Sequence, residues 1–346
     1  MFGFVNGAEY LQRLQLEKKT GKSFEVAQNE KIGIYHITQY LDHFDSSSNK
    51  TWKQRYFYNE EYRSAGSDVV FLMIGGEDPG GFGWVVNPEF PFLIWAKKFG
   101  AIALVLEHRF YGESRPTPDQ SVENLKYLNS RQAIADVAHF IRTMNAEYGL
   151  KNPLWITFGG SYAGSLALWA RQAYPDLIAG AVDSSAPLNA VVDYWGYLEV
   201  VENVLRSYNE TCAENVRKGF QTISYLMLSE DGRAKLSTVL KLDPPFSELN
   251  LTYNDMQYFY SEMFSKFKIA IQHNRINAGK YAYDYGVPEV CSIMMDKGEP
   301  LRNVQKVIEY MSGLWTKYEN TSNSYDEMID YLKIEQFDSA LGFDCE

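Results

Sequence analysis

Leu154-Trp155-Ile156-Thr157-Phe158-Gly159-Gly160-Ser161-Tyr162-Ala163-Gly164 passes from an apolar run through a cluster of small residues. It leads into Ser165-Leu166-Ala167-Leu168-Trp169-Ala170-Arg171, which carries a helical pattern. A strand, a tight turn centred on a serine, then a helix: this is the layout of a nucleophile elbow. Such a turn strains the serine backbone and exposes its hydroxyl, and bulky neighbours would collide with the strand and the helix. The general form is G-x-S-x-G. Here Ala163 stands two after the serine and Gly164 follows, so the match is a variant. A Gly/Ser-rich turn that merely packs or binds an anion is the competing reading. The flanks on both sides favour a nucleophile at Ser161.

Working outward, Val69-Val70-Phe71-Leu72-Met73-Ile74 and Ala101-Ile102-Ala103-Leu104-Val105-Leu106 are continuous apolar runs. They read as strands buried on both faces of a largely parallel sheet. Ile178-Ala179-Gly180-Ala181-Val182 reads as a fourth such strand. Lys53-Gln54-Arg55-Tyr56-Phe57-Tyr58-Asn59 alternates and is expected at a sheet edge. Between these runs, Pro88 to Phe99 has a helical pattern. Ser130 is expected to cap a helix carrying Ile134, Val137, Ile141 and Met144. The helix after Ser161 should stop near Tyr174, because Pro175 disfavours helical geometry before it. Strand–helix alternation over about 69–186 makes the fold class α/β with a mainly parallel sheet. After Pro187 the pattern becomes helical and rich in Tyr and Met, broken once by Pro244-Pro245. This part reads as a helical cap inserted into the sheet domain, giving units 1–187 and 188–346.

With 346 residues and 45% hydrophobic content, the chain can bury a sizeable core. The formal net charge of -11 argues against nucleic acid as the main partner. No stretch approaches the roughly 20 apolar residues of a membrane span. Cys212, Cys291 and Cys345 show no metal-ligand spacing, and neither a metal nor a cofactor is expected. Acceptor triplets for N-glycosylation start at Asn49, Asn209, Asn250 and Asn320, which leans toward the secretory route. The amino terminus lacks a signal segment, so either the start is incomplete or the protein is not exported.

A serine needs a base, and its acyl intermediates need oxyanion donors. One donor is the Tyr162 N–H. The second is expected from Gly76 or Glu77, where Gly75-Gly76 permits close backbone approach. An ordinary glycine turn is the alternative there. The base is harder to find. The expected chain order is Ser, then Asp or Glu, then His. Only His273 follows Ser161, in the helical cap, where a surface or helix-terminal role fits better. His36, His43, His108 and His139 precede the serine. Glu107, His108 and Arg109 read as a buried polar cluster that fixes a loop.

Four stretches together resemble one family. They are Tyr40-Leu41-Asp42-His43-Phe44, Glu107-His108-Arg109-Phe110-Tyr111-Gly112-Glu113-Ser114, Gly159-Gly160-Ser161-Tyr162-Ala163-Gly164-Ser165-Leu166 and Asp183-Ser184-Ser185-Ala186-Pro187. They are similar to the serine peptidases that include prolylcarboxypeptidase, dipeptidyl peptidase II and thymus-specific serine protease. Ser-Tyr-Ala-Gly-Ser-Leu after Gly160 and Ile74-Gly75-Gly76-Glu77 lean toward the thymus-specific branch. The resemblance implies an α/β-hydrolase fold with a helical cap and acyl transfer through Ser161, usually after proline near a peptide terminus. It implies an oxyanion donor at Tyr162, an acidic position at Glu77 that meets a peptide amino group, and paired cap cysteines Cys212 and Cys291. It also implies a secreted, lysosomal or endosomal setting. A peptide is the expected partner, and a homodimer is a further option.

The family's Asp and His lie beyond the cap, where this chain ends. The final strands and both residues are therefore expected to be missing, with Cys345 left without its partner. A proline-directed serine exopeptidase is the leading reading for the full-length product, with negligible turnover from this chain alone. A non-catalytic peptide- or partner-binding fragment, or an esterase on the same fold, is the alternative. The cap aromatics Trp195, Tyr197, Phe259 and Trp315 are candidates both for a proline pocket and for core.

Overall fold

The computed structural model describes residues 30–274, 285–314 and 317–337. They form two compact units, one of residues 30–190 with 334–337, the other Val191–Lys333. Residues 334–337, placed with the cap on sequence grounds, group with the first unit.

The first unit is built on six strands: β1 (Ile32–Tyr40), β2 (Thr51–Asn59), β3 (Val69–Ile74), β4 (Ile102–Leu106), β5 (Leu154–Gly160) and β6 (Gly180–Ser184). Their order is β1-β2-β4-β3-β5-β6. The first three in that order run antiparallel, and β4, β3, β5 and β6 run parallel. Helices α1 (Pro91–Phe99), α2 (Ser130–Glu147) and α3 (Ser161–Ala173) cover the sheet. Val70, Leu72 and Ile74 of β3 and Leu104 and Leu106 of β4 pack with Val137, Phe140 and Ile141 of α2 and Leu166 and Ala170 of α3. Phe71, Ala103 and Phe158 pack with Phe92, Leu93 and Ala96 of α1. Successive strand residues thus meet apolar partners on opposite faces, which explains the unbroken apolar runs. This strand order, with a serine turn joining β5 to α3, is the α/β-hydrolase fold.

Several expectations shift. Lys53–Asn59 is not an edge: β2 pairs over its full length with β1 and, near its end, with β4. The polar and tyrosine-rich stretch before it hid β1. The first-layer helix begins at Pro91 rather than Pro88, because Phe90 is still extended and proline at the first helical position leaves no amide unpaired. Asn129, not Ser130, caps α2, its side chain accepting from the Gln132 amide. The helix after Ser161 ends at Ala173 with Tyr174 as its cap, as Pro175 requires. β6 lies two residues later than expected. Among the described residues β6 pairs only with β5, and its last three residues are exposed.

The second unit holds α4 (Gly196–Tyr208), α5 (Glu210–Leu226), α6 (Glu230–Leu240), α7 (Tyr253–Gln272), α8 (Val287–Met294), α9 (Pro300–Gly313) and α10 (Tyr325–Leu332). Its core is apolar, with Phe259, Met263, Val290, Val304, Ile308 and Met311 fully buried. Cys212 of α5 and Cys291 of α8 form a disulfide with 5.2 Å between their Cα atoms. Pro244-Pro245 separates α6 from α7. Two two-residue strands, Leu242–Asp243 and Thr321–Ser322, pair in parallel, where the sequence suggested no strand at all. Thr252 and Asp255 close a capping box at the start of α7. No helix among the described residues is long and apolar enough to cross a membrane.

Candidate active site

Gly160 ends β5 in an extended conformation, and Ser161, the first residue of α3, turns to φ +54°. A non-glycine residue in this left-handed region costs about 1–3 kcal/mol and persists only where its surroundings enforce it. The surroundings here are tight. A Cβ on Gly159 would stand 2.2 Å from the Ala163 carbonyl oxygen, and one on Gly164 would stand 3.1 Å from the Ala186 Cβ. Strand and helix therefore approach so closely that only glycine fits at position 159. Ala163 is buried, whereas Ser161 is exposed at the tip. The first amides of α3 have no intrahelical acceptors, so they are available to negative charge.

A second backbone segment faces the elbow. The Gly75 amide donates to the Leu106 carbonyl at 2.8 Å. A Cβ on Gly76 would stand 3.4 Å from the Ala163 Cβ, which places Gly76 against the start of α3. Glu77 is half-buried. Burial first, then its carboxylate among others, pushes up the Tyr111 phenol to about 12. The Tyr162 phenol is also pushed up, by burial, then Tyr111, then Glu77. Ser161, Tyr162, Gly76 and Glu77 thus belong to one neighbourhood.

Next to the elbow lies the loop after β4, whose Glu107, His108 and Arg109 are all buried. Glu107 pairs with Arg55 at 2.6 Å and accepts from the Ser114 hydroxyl at 2.6 Å and the Gly80 amide at 2.7 Å. Arg109 donates twice to Asp136 of α2, at 2.7 Å each. It also donates to the carbonyls of Leu41 and Tyr127. His43 Nε2 lies 2.7 Å from the same Asp136 carboxylate. The Tyr40–Phe44 stretch is therefore tied to the Glu107–Ser114 stretch through Asp136. The sequence reading identified the cluster but missed Asp136. Its signal was a carboxylate on the stripe of Ala133, Val137 and Phe140, which α2 turns to the core.

The remaining candidates are dispersed. Among the described residues no histidine hydrogen-bonds to Ser161. His273 caps the end of α7 in the second unit and is buried, not surface-exposed. His139 lies against the Thr38 carbonyl, and His36 is exposed. Phe259 is core, Trp195 is 68% exposed and Tyr197 is half-buried. Trp315, Cys345 and the amino-terminal stretch lie outside the described residues. Asn49, Asn250 and Asn320 are exposed, while Asn209 is half-buried and caps α5. Among the described residues no group of His, Cys, Asp and Glu is placed to hold a metal ion.

The family model of serine carboxypeptidase S28 matches residues 39–343. The chain belongs to that family. It is 43% identical over 269 residues to the Caenorhabditis elegans protein F56F10.1, covering 78% of this chain and 49% of that one. The mouse thymus-specific serine protease is 45% identical over 170 residues, 49% of this chain and 33% of that one. The mouse lysosomal Pro-X carboxypeptidase is 32% identical over 224 residues, 63% of this chain and 45% of that one. The chain thus spans about half the length of the curated relatives it matches, or less. The family is the one that the four quoted stretches resembled.

Proposed function

We propose that this chain carries the nucleophile and oxyanion-binding part of a serine exopeptidase that cleaves peptides with proline near a terminus. The Ser161 Oγ attacks the scissile carbonyl, the C–N bond breaks and the amine leaves carrying the serine proton; water then cleaves the acyl ester, releasing the acid and restoring the Ser161 hydroxyl. The Tyr162 and Gly76 amides hold the oxyanion, and Glu77 receives the amino group of a peptide. The observation that carries this reading is the strained turn: Ser161 stands exposed at φ +54° on the first residue of α3. That posture presents a hydroxyl to a substrate at a cost in stability. The Pro-X specificity and the lysosomal setting are those that the name of the lysosomal Pro-X carboxypeptidase carries, and they are part of the proposal here. The exposed sequons at Asn49, Asn250 and Asn320 support a secreted or lysosomal route.

Treatment with a fluorophosphonate, with imidazole added as an external base, followed by peptide mapping tests the nucleophile, and a chromogenic proline-containing dipeptide tests turnover. Labelling at Ser161, absent in Ser161→Ala, is expected. Turnover at enzyme rates that vanishes in Ser161→Ala would show that this chain supplies its own base. No labelling at Ser161 would overturn the reading and leave peptide binding without catalysis.

A further inference from the structure

The function proposed above does not use His108, although it is buried beside the nucleophile turn. Its Nδ1 lies 2.7 Å from the Arg109 carbonyl oxygen. A carbonyl only accepts, so Nδ1 carries the proton and Nε2 carries a lone pair. That lone pair lies 3.3 Å from the Tyr162 hydroxyl, which must therefore donate. The same loop also holds the other amide segment. A Cβ on Gly75 would stand 2.9 Å from the Leu106 oxygen and 3.0 Å from the His108 nitrogen, so the two backbones touch. Glu107 and Arg109, on either side of His108, are clamped by Arg55 and Asp136.

We propose that His108 is a positioning residue for the oxyanion site: its ring holds Tyr162 and its backbone packs against Gly75, which the Leu106 carbonyl binds, so that both amide segments keep one register. This rests on the reading of Ser161 as nucleophile. His108 does not touch the substrate; it acts through Tyr162. The groups that face its ring are Tyr111 and Tyr162, with Arg109 and Asp136 close by. Burial drives the imidazole down to about 4 and drives both phenols up, so the bond keeps one protonation arrangement across neutral and mildly acidic pH.

The test uses the whole chain with His108→Leu, His108→Gln and Tyr162→Phe. Leucine fills the space without an acceptor. Glutamine offers an oxygen near the Nε2 position. Tyr162→Phe removes the hydroxyl from the other side and keeps the amide. Two readouts are compared: the rate of Ser161 phosphonylation with imidazole added as an external base, and the NMR shifts of the Gly76 and Tyr162 amides. Removing an oxyanion donor outright costs roughly 10²–10³-fold. Displacing one should slow phosphonylation by about tenfold in His108→Leu and Tyr162→Phe. The double variant should be no slower than either, and His108→Gln should recover most of the rate. Both amides should shift in His108→Leu and return in His108→Gln. If His108→Leu does not fold, Tyr162→Phe and His108→Gln carry the comparison. Unchanged rates and amides in folded variants, or additive losses in the double variant, would overturn the proposal. A wild-type chain unlabelled at Ser161 but with coupled amide shifts would overturn the nucleophile reading and leave the positioning bond standing.

Discussion

Beside the elbow the first unit buries Glu107, His108, Arg109 and Asp136, whereas the second unit fills its interior with Phe259, Met263, Val304 and Ile308 and ties it with a disulfide. Both interiors exclude water, but they specify different things. Apolar packing rewards volume and leaves some freedom in orientation. A buried ion pair is often no more stabilising than a hydrophobic replacement, because both charges lose their water. Its bonds are directional, however, and a satisfied network holds its members in one geometry. In the first unit that network lies beside the Ser161 turn, with Glu107, His108 and Arg109 on the loop whose backbone meets Gly75. Among the described residues the second unit shows no comparable cluster; ion pairs such as Arg206 with Glu202 and Arg217 with Glu214 join solvent-accessible side chains within one helix.

The contrast breaks most severely at Asp136. Asp136→Ala leaves the Arg109 guanidinium buried without its carboxylate, and the first unit should lose about 3–5 kcal/mol. Hydrogen exchange followed by mass spectrometry separates the units: protection should fall in β4, α2 and α3 and stay unchanged in α5 and α8. The reverse experiment is Cys212→Ser with Cys291→Ser. The disulfide closes a separation of 79 residues, so its loss should cost about 4 kcal/mol, confined to the second unit. Equal loss of protection in both units would show that they unfold together.

Acid sharpens the comparison by sign. His108 is held neutral, its pKa lowered from 6.5 to about 4 chiefly by burial. The unfolded chain therefore takes up the proton first, and stability of the first unit should fall as pH drops from 6.5 toward 4. In the second unit burial raises the Glu262 carboxyl above 4.5. That group favours the folded state at low pH and loses its contribution as pH rises above 4.5 through its folded value. Thermal melting of wild type and His108→Gln from pH 7 to 4 checks the first effect: the variant should show the shallower decline.

The smallest effect concerns the turn itself. Ser161→Gly relieves the φ +54° strain and should stabilise the first unit by about 1 kcal/mol while abolishing phosphonylation. A loss of stability instead would mean that the side chain makes contacts that outweigh the strain.

Much of the first unit was legible in the sequence. Apolar runs at positions 69–74, 101–106 and 154–158 become β3, β4 and β5 with shifts of a residue or two. The glycines around Ser161 announced the turn because close approach and positive φ act on neighbouring residues. β1 was hidden, since Gly33, His36, Thr38 and Gln39 dilute its apolar pattern, and β2 was therefore misplaced at an edge. The cap of α2 moved to Asn129 because two adjacent residues were both able to cap, and only the backbone entering the helix chooses between them.

The sequence by itself determined the family, the α/β alternation and the tight serine turn between β5 and α3, all of which rest on preferences expressed within a few consecutive residues. Only the tertiary structure decided what the polar residues are for. Arg109 meets Asp136 across 27 positions, Tyr162 meets His108 across 54, and His43 meets Asp136 across 93. Such partners are brought together by the order of the strands and by which face each helix turns to the sheet. A buried charge or imidazole tells the sequence reader that a partner must exist; the packing of whole elements selects it.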